Sequence, residues 1–128
     1  MLILSVLGFL LSVLAHLLSV LEFELTQHWF LLHLGVFVVW LPAVVGLKKY
    51  FEGRHVSWEA AFGTCPTWMW LVLSALIPYI ALNFFLNVNS ENQNLGQEIR
   101  LFSGHWMLFY YLASMIHRNL REKRERGR

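Results

Sequence analysis

The sequence predicts an all-α membrane protein: four transmembrane helices in an antiparallel bundle, both termini cytoplasmic, with a short interfacial helix between the second and third spans. Three observations predict it. The chain of 128 residues is 57% hydrophobic and 14% charged, whereas soluble domains are about 45–50% apolar and about 25% charged. The charges are segregated, with His16 alone between Met1 and Leu21 and no Asp, Glu, Lys, Arg or His across 66–90. The basic residues, finally, fall almost entirely on one side of the runs they flank.

About 20 apolar residues cross the hydrocarbon core as a helix. Four segments meet that length or approach it: 2–21, 28–47, 66–87 and 101–117, the last being the shortest and the richest in polar side chains. The first opens "MLILSV", without the basic region that a signal peptide carries, and its apolar run is as long as a span, so it reads as a retained anchor. Within it Ser5, Gly8, Ser12, Ala15 and Ser19 recur at alternating spacings of three and four. That is a heptad seam of small side chains, which in lipid lets helix backbones approach closely. It suits an intrachain neighbour or a second copy equally.

The second span carries Gly35, Pro42, Ala43 and Gly46 on one side, with Pro42 removing a backbone hydrogen bond. The stretch "YFEGRHVSWEAAFGT" is too polar to cross, and an interfacial helix around 57–62 would dip Trp58 and Phe62 into headgroups. The third span begins at "GTCPTW", where Thr64 can cap and Pro66 occupies an early position. Pro78 bends it midway. The fourth places Ser103, Met107, Tyr110, Ser114 and His117 along one face, and His117 beside Arg118 suits a helix C-terminus. A basic tail, 118–128, follows in the same single domain.

Lys48, Lys49 and Arg54 follow the second span; Arg118, Arg121, Lys123, Arg124, Arg126 and Arg128 follow the fourth. Only Arg100 of the ten basic residues lies on the other side, which makes the basic side cytoplasmic. Trp29 and Trp106 fall toward the outer interface, and Tyr50, Trp58, Trp68 and Trp70 toward the inner one. The tail excludes nothing by charge alone, but a juxtamembrane Lys/Arg cluster faces anionic lipid headgroups rather than nucleic acid. Lys48, Lys49, Arg118, Arg121, Lys123 and Arg124 are the expected headgroup contacts, with Glu122 and Glu125 supporting a short helix from i±4.

Function is written most clearly in the histidines. His16, His33 and His105 each lie roughly 6–13 Å below the outer ends of their spans, and Asn83 and Asn87 fall in the same slab, with Glu22, Glu24 and His28 just above. Facing imidazoles, His33 with His105 and His16 as a third, suit a b-type haem walled by Trp29, Phe37, Phe109 and Leu112. Three histidines suit zinc or copper. A histidine with an asparagine suits a quinone or a lipid headgroup. The competing account is structural, each imidazole bonding a neighbouring helix. The helical wheel leaves orientation open: His33 and His105 point inward only if the large aromatic faces are the packed ones. One cysteine, Cys65, excludes an intrachain disulfide. The absence of Asp, of H-E-x-x-H and of a phosphate loop disfavours nucleophile-and-base catalysis.

At "LHLGVFVVWLPAVV" (32–45), "WEAAFGTCPTWM" (58–69) and "FSGHWMLFYY" (102–111), the chain resembles a group of small bacterial four-span integral membrane proteins. These carry a His-Leu-Gly stretch, a Cys-Pro-x-Trp-Met block and a Ser-Gly-His-Trp-Met block in that order. The resemblance implies the bacterial inner membrane and places His33, Pro66 and His105 inside the blocks; it brings no activity with it. The expectation is a non-enzymatic protein acting by association, as a homo-oligomer or as an accessory subunit of a membrane complex. A redox protein binding haem, metal or quinone is its rival, and transport by an oligomer comes third.

Overall fold

Four long helices and one short one make up the computed structural model, which describes residues 1–24, 26–51, 57–88 and 94–127. Among the described residues there is no strand. Arg54, His55, Arg128 and the Trp58 side chain, with what was expected of them, lie outside those described.

Helix α1 is Leu2–Val20; a 3-10 turn at Gln27–Phe30 runs directly into α2, Leu31–Phe51. Helix α3 is Trp58–Phe62, α4 is Thr67–Val88 and α5 is Leu95–Arg126. The chain leaves α1 through a Schellman turn, in which Phe23 N–H bonds the Leu18 carbonyl at 3.1 Å and Glu22 N–H the Ser19 carbonyl at 3.4 Å. Glu22 takes the left-handed position there, at φ 59°.

Helix α5 is the axis. It packs on α1, α2, α3 and α4, while α4 packs chiefly on α5 and α1 touches α2 only lightly. Helices α1 and α4 run antiparallel to α5, since His16 meets Ser103 while Ser19 meets Arg100, and Asn83 meets Arg100 while Met69 meets Tyr111. The 28–51 segment runs parallel to α5, with His33 at Trp106 and Val39 at His117. Helices α1 and α4, and the 3-10 turn with α2, are long and apolar enough to cross a membrane. The polar content of α5 has a simple cause: its Ser, Gly, Asn and Tyr side chains face three greasy helices instead of lipid.

The small seam of α1 is spent inside this packing. Ser5, Gly8, Ser12, Ala15 and Ser19 are all buried, and α5 is the neighbour α1 packs on most closely. Their hydroxyls bond their own helix, Ser12 Oγ to the Gly8 carbonyl at 2.7 Å and Ser19 Oγ to the His16 carbonyl at 2.6 Å. The seam therefore acts through smallness, not through polar glue. Tyr110 enters it as a wedge: its ring lies on Gly8, its hydroxyl passes Gly35 and donates to the Leu32 carbonyl at 2.8 Å.

Several expectations are corrected. The fourth helix does not stop at 117. It starts at Leu95 behind an Asn94 capping box with Gln97 and continues through the basic tail for 32 residues, about 48 Å. His117 is accordingly no helix terminus; its Nε2–H donates to the Val39 carbonyl at 2.9 Å, next to the turn of α2 that Pro42 deprives of a donor. Trp106 is 1% exposed and sits in the core, not in an interfacial belt. Phe62 is buried against Trp70 rather than dipped in headgroups. Thr64 does not cap α4: its hydroxyl and N–H both donate to Asn119 Oδ1, at 2.7 and 3.2 Å.

Candidate functional site

Among the described residues, the half of the bundle away from the termini holds its polar groups in three separate places. The largest is built around His16, which stands on the edge of the α1 seam and is 4% exposed. Its Nδ1 lies 2.8 Å from Ser103 Oγ on α5, and its Nε2 bonds the Tyr79 hydroxyl on α4. Ser103 Oγ donates its own hydrogen to the Arg100 carbonyl at 3.0 Å, so it can only accept from the imidazole. His16 is thus the Nδ1–H tautomer, donating to Ser103 and accepting from Tyr79. Both nitrogens are used.

Asn83 and Asn87 belong to this same cluster. Asn83 Nδ2 donates to the Arg100 carbonyl at 2.9 Å, and Asn87 Nδ2 donates to the Asn83 carbonyl and Oδ1 at 2.7 and 3.0 Å. The Arg100 guanidinium donates from Nη2 to the Ser19 carbonyl, closing the ring back to α1. Three helices are tied at one depth. The hydrogen-bond chain from Tyr79 through His16 and Ser103 ends on a carbonyl that has no proton to pass, so it clamps and does not relay. Above it lies a cleft of about 410 Å³ lined by Glu22, Glu24, Asn94, Gln97 and Arg100. Arg100 Nε is buried there without a partner, and among the described residues no carboxylate pairs with that guanidinium.

His33 lies elsewhere. It is exposed on α2, and its Nδ1 accepts the Trp106 Nε1–H at 3.1 Å, with Phe37 and Phe102 edge-on at 5.8 and 6.3 Å. His105 is on the other side of Trp106, turned toward α4, where Phe84 meets it edge-on at 6.1 Å. In this arrangement the Trp106 indole bonds His33 and His105 packs against Phe84 of α4, so the two imidazoles do not face each other. Among the described residues no three His, Cys, Asp or Glu side chains group closely enough to hold a metal. Of the expected site residues the fold brings together His16, Asn83 and Asn87, and separates His33 and His105 from them and from each other.

His105, like His33, has one ring nitrogen engaged. Its Nδ1–H donates to the Leu101 carbonyl of its own helix at 3.3 Å, which leaves Nε2 as an acceptor with no partner among the described residues. The stripe it shares with Leu101, Phe102, Phe109 and Leu112 is only partly covered: Phe102 and Phe109 are exposed, the other three half-buried. Helix α2 flanks the stripe through Trp40 against Phe109, and α4 through Phe84. Toward the inner end α3 closes the gap, with Ala61 and Phe62 packed near Ile116. Toward the other end Phe102 and Phe109 remain exposed.

Sequence reasoning missed Arg100, Tyr79 and Trp106 as partners. One signal existed for Arg100, the single basic residue that breaks the charge asymmetry. Lys48 and Lys49 are exposed as expected of headgroup contacts, whereas Arg118 pairs with Glu122 at 2.9 Å and Lys123 lies over the Tyr50 and Phe51 rings. Arg121 and Arg124 remain at the surface. Compared with models of protein families, with curated proteins and with solved structures, the chain has no match.

Proposed function

We propose that this chain is a non-enzymatic, multi-pass protein of the bacterial inner membrane, termini inside, that works as an accessory subunit by receiving a transmembrane helix of another protein in the open gap between α2 and α4. The observation that carries this reading is His105: an imidazole nitrogen without a partner among the described residues, on a stripe of the most polar helix that its own bundle covers only in part. Intramembrane polar groups are expensive unless paired.

The tautomer selects the kind of partner. With Nδ1–H held by the Leu101 carbonyl, Nε2 accepts a hydrogen bond. A partner helix offering a hydroxyl, amide or indole donor would satisfy that nitrogen. The buried α1 seam lends no support to a homo-oligomer, because α5 occupies it.

A photo-crosslinking residue at Phe109, in the gap, and another at Phe85, which is 71% exposed on α4, test the reading in the native membrane. A discrete heavier adduct is expected from Phe109 and not from Phe85. Replacing His105 by Ala should weaken that partner's retention roughly three- to fifteenfold, as loss of one interhelical hydrogen bond does. Equal, diffuse labelling at both positions would count against an assembly through this gap, and a bound quinone in place of a protein adduct would transfer the site to the rival reading.

A further inference from the structure

The end of the bundle that carries both termini holds a crevice of about 590 Å³ between the first turn of α1, the Pro42 and Gly46 turns of α2 and the last turns of α5. Its walls are mostly apolar, from Leu2, Ile3, Pro42 and Leu120 with His117 among them, and Arg121, Arg124 and Glu125 also line it. Gly46 helps make it: a Cβ at that position would come within 2.9 Å of Leu120 Cδ1, so the glycine seats Leu120 against α2. The arginines are there by register. Tyr110, Ser114 and His117 occupy one stripe of α5, and further steps of four and three bring Arg121 and Arg124 onto it beyond the apolar part of the helix.

The charges in the crevice are unequal. Glu125 pairs with Arg121 through Nε at 2.8 Å, leaving its other guanidinium nitrogens free of that contact, while Arg124 makes no ion pair among the described residues. Of the other tail cations, Arg118 is engaged with Glu122 and Lys123 lies over two aromatic rings, both away from this crevice. An apolar wall that ends in excess positive charge complements a molecule with an acyl chain at one end and an anion at the other.

We infer that this crevice is a site for one anionic phospholipid, its acyl chain along Leu2, Ile3 and Pro42 and its phosphate at Arg124 and Arg121. This differs from a general attraction of the basic tail to the surface, which any of the six tail cations would share. It also stands apart from the gap at His105, at the opposite end of α5, so either can fail alone.

The test uses the full chain in neutral detergent, titrated with phosphatidylglycerol or phosphatidylcholine and read by native mass spectrometry. One phosphatidylglycerol should be retained in preference to phosphatidylcholine, by on the order of tenfold. The double variant Arg121→Gln, Arg124→Gln should lose the preference, and Arg126→Gln, which removes a charge outside the crevice, should keep it. The changed side chains are at the surface, and an unaltered melting temperature confirms an intact fold. Loss of preference in Arg126→Gln to the same extent, or no preference in the parent protein, overturns the site.

Discussion

At the scale of single residues, burial decides chemistry that residue type leaves undecided. Cys65 precedes α4 and reads in sequence as an ordinary interfacial thiol. In the fold it is 9% exposed, and its Sγ–H donates to the Met115 carbonyl at 3.5 Å. That burial pushes the thiol up to about 11, against a smaller opposing pull from the Arg118 charge. A group raised this far is almost wholly protonated at neutral pH, the thiolate being about one molecule in ten thousand. Alkylation of the detergent-solubilised protein should therefore be slow at pH 7 and rise about tenfold per pH unit up to pH 10. A plateau near pH 8 or 9 would show an exposed, ordinary cysteine. The residue "C" in "GTCPTW" was legible, but not its burial, which exists only once α3, α4 and α5 converge on it. The same holds for the histidines. Their depth could be counted along the chain; which nitrogen met which partner depended on Tyr79, Ser103 and Trp106, residues that lie 63, 87 and 73 positions away from the imidazoles they bond.

At the scale of elements, α1 offers a direct separation of smallness from polarity. Its seam was visible as a heptad in the sequence, because two facing backbones leave no room for larger side chains. What covered the seam was not visible, since an intrachain helix and a second copy make the same demand. The structure distinguishes two of its members. A Cβ at Gly8 would overlap the Tyr110 ring, and that ring cannot retreat while its hydroxyl is held by the Leu32 carbonyl. Gly8→Ala should thus destabilise by about 1–3 kcal/mol, the cost of overpacking. Ser12, one turn on, bonds only the Gly8 carbonyl of its own helix, so Ser12→Ala should stay within about 0.5 kcal/mol. Unfolding of both variants in mixed micelles provides the comparison, and Tyr110→Leu in the Gly8→Ala background should restore part of the loss. Comparable costs at the two positions would mean that the serines act as glue after all.

At the scale of the whole molecule, the order of the chain and the order of its packing run opposite to each other. Helices α1, α2 and α4 come first and are apolar enough to insert independently. Yet they hardly touch one another, and nearly all of their packing is onto α5, which comes last. In lipid there is no hydrophobic drive to bring the first three together. Helices α1 and α2 present glycines, Gly8 and Gly35, to Tyr110 of α5, while α4 presents Ile80 and Asn83 to Gly104 of α5. A fragment ending at Val88 should accordingly insert three spans and yet fail to form a bundle. Limited proteolysis in the membrane should cut its connections readily, and it should migrate as a broad, polydisperse species in detergent. Supplying 94–128 as a second polypeptide should convert it to a protease-resistant, monodisperse complex, because Asn94 begins its own capping box and brings α5 complete. A fragment that is already compact without α5 would remove the central role of that helix. It would also remove the reason its sequence is the most polar of the four long helices: a helix enclosed on three sides by others need not be soluble in lipid, only matched to them.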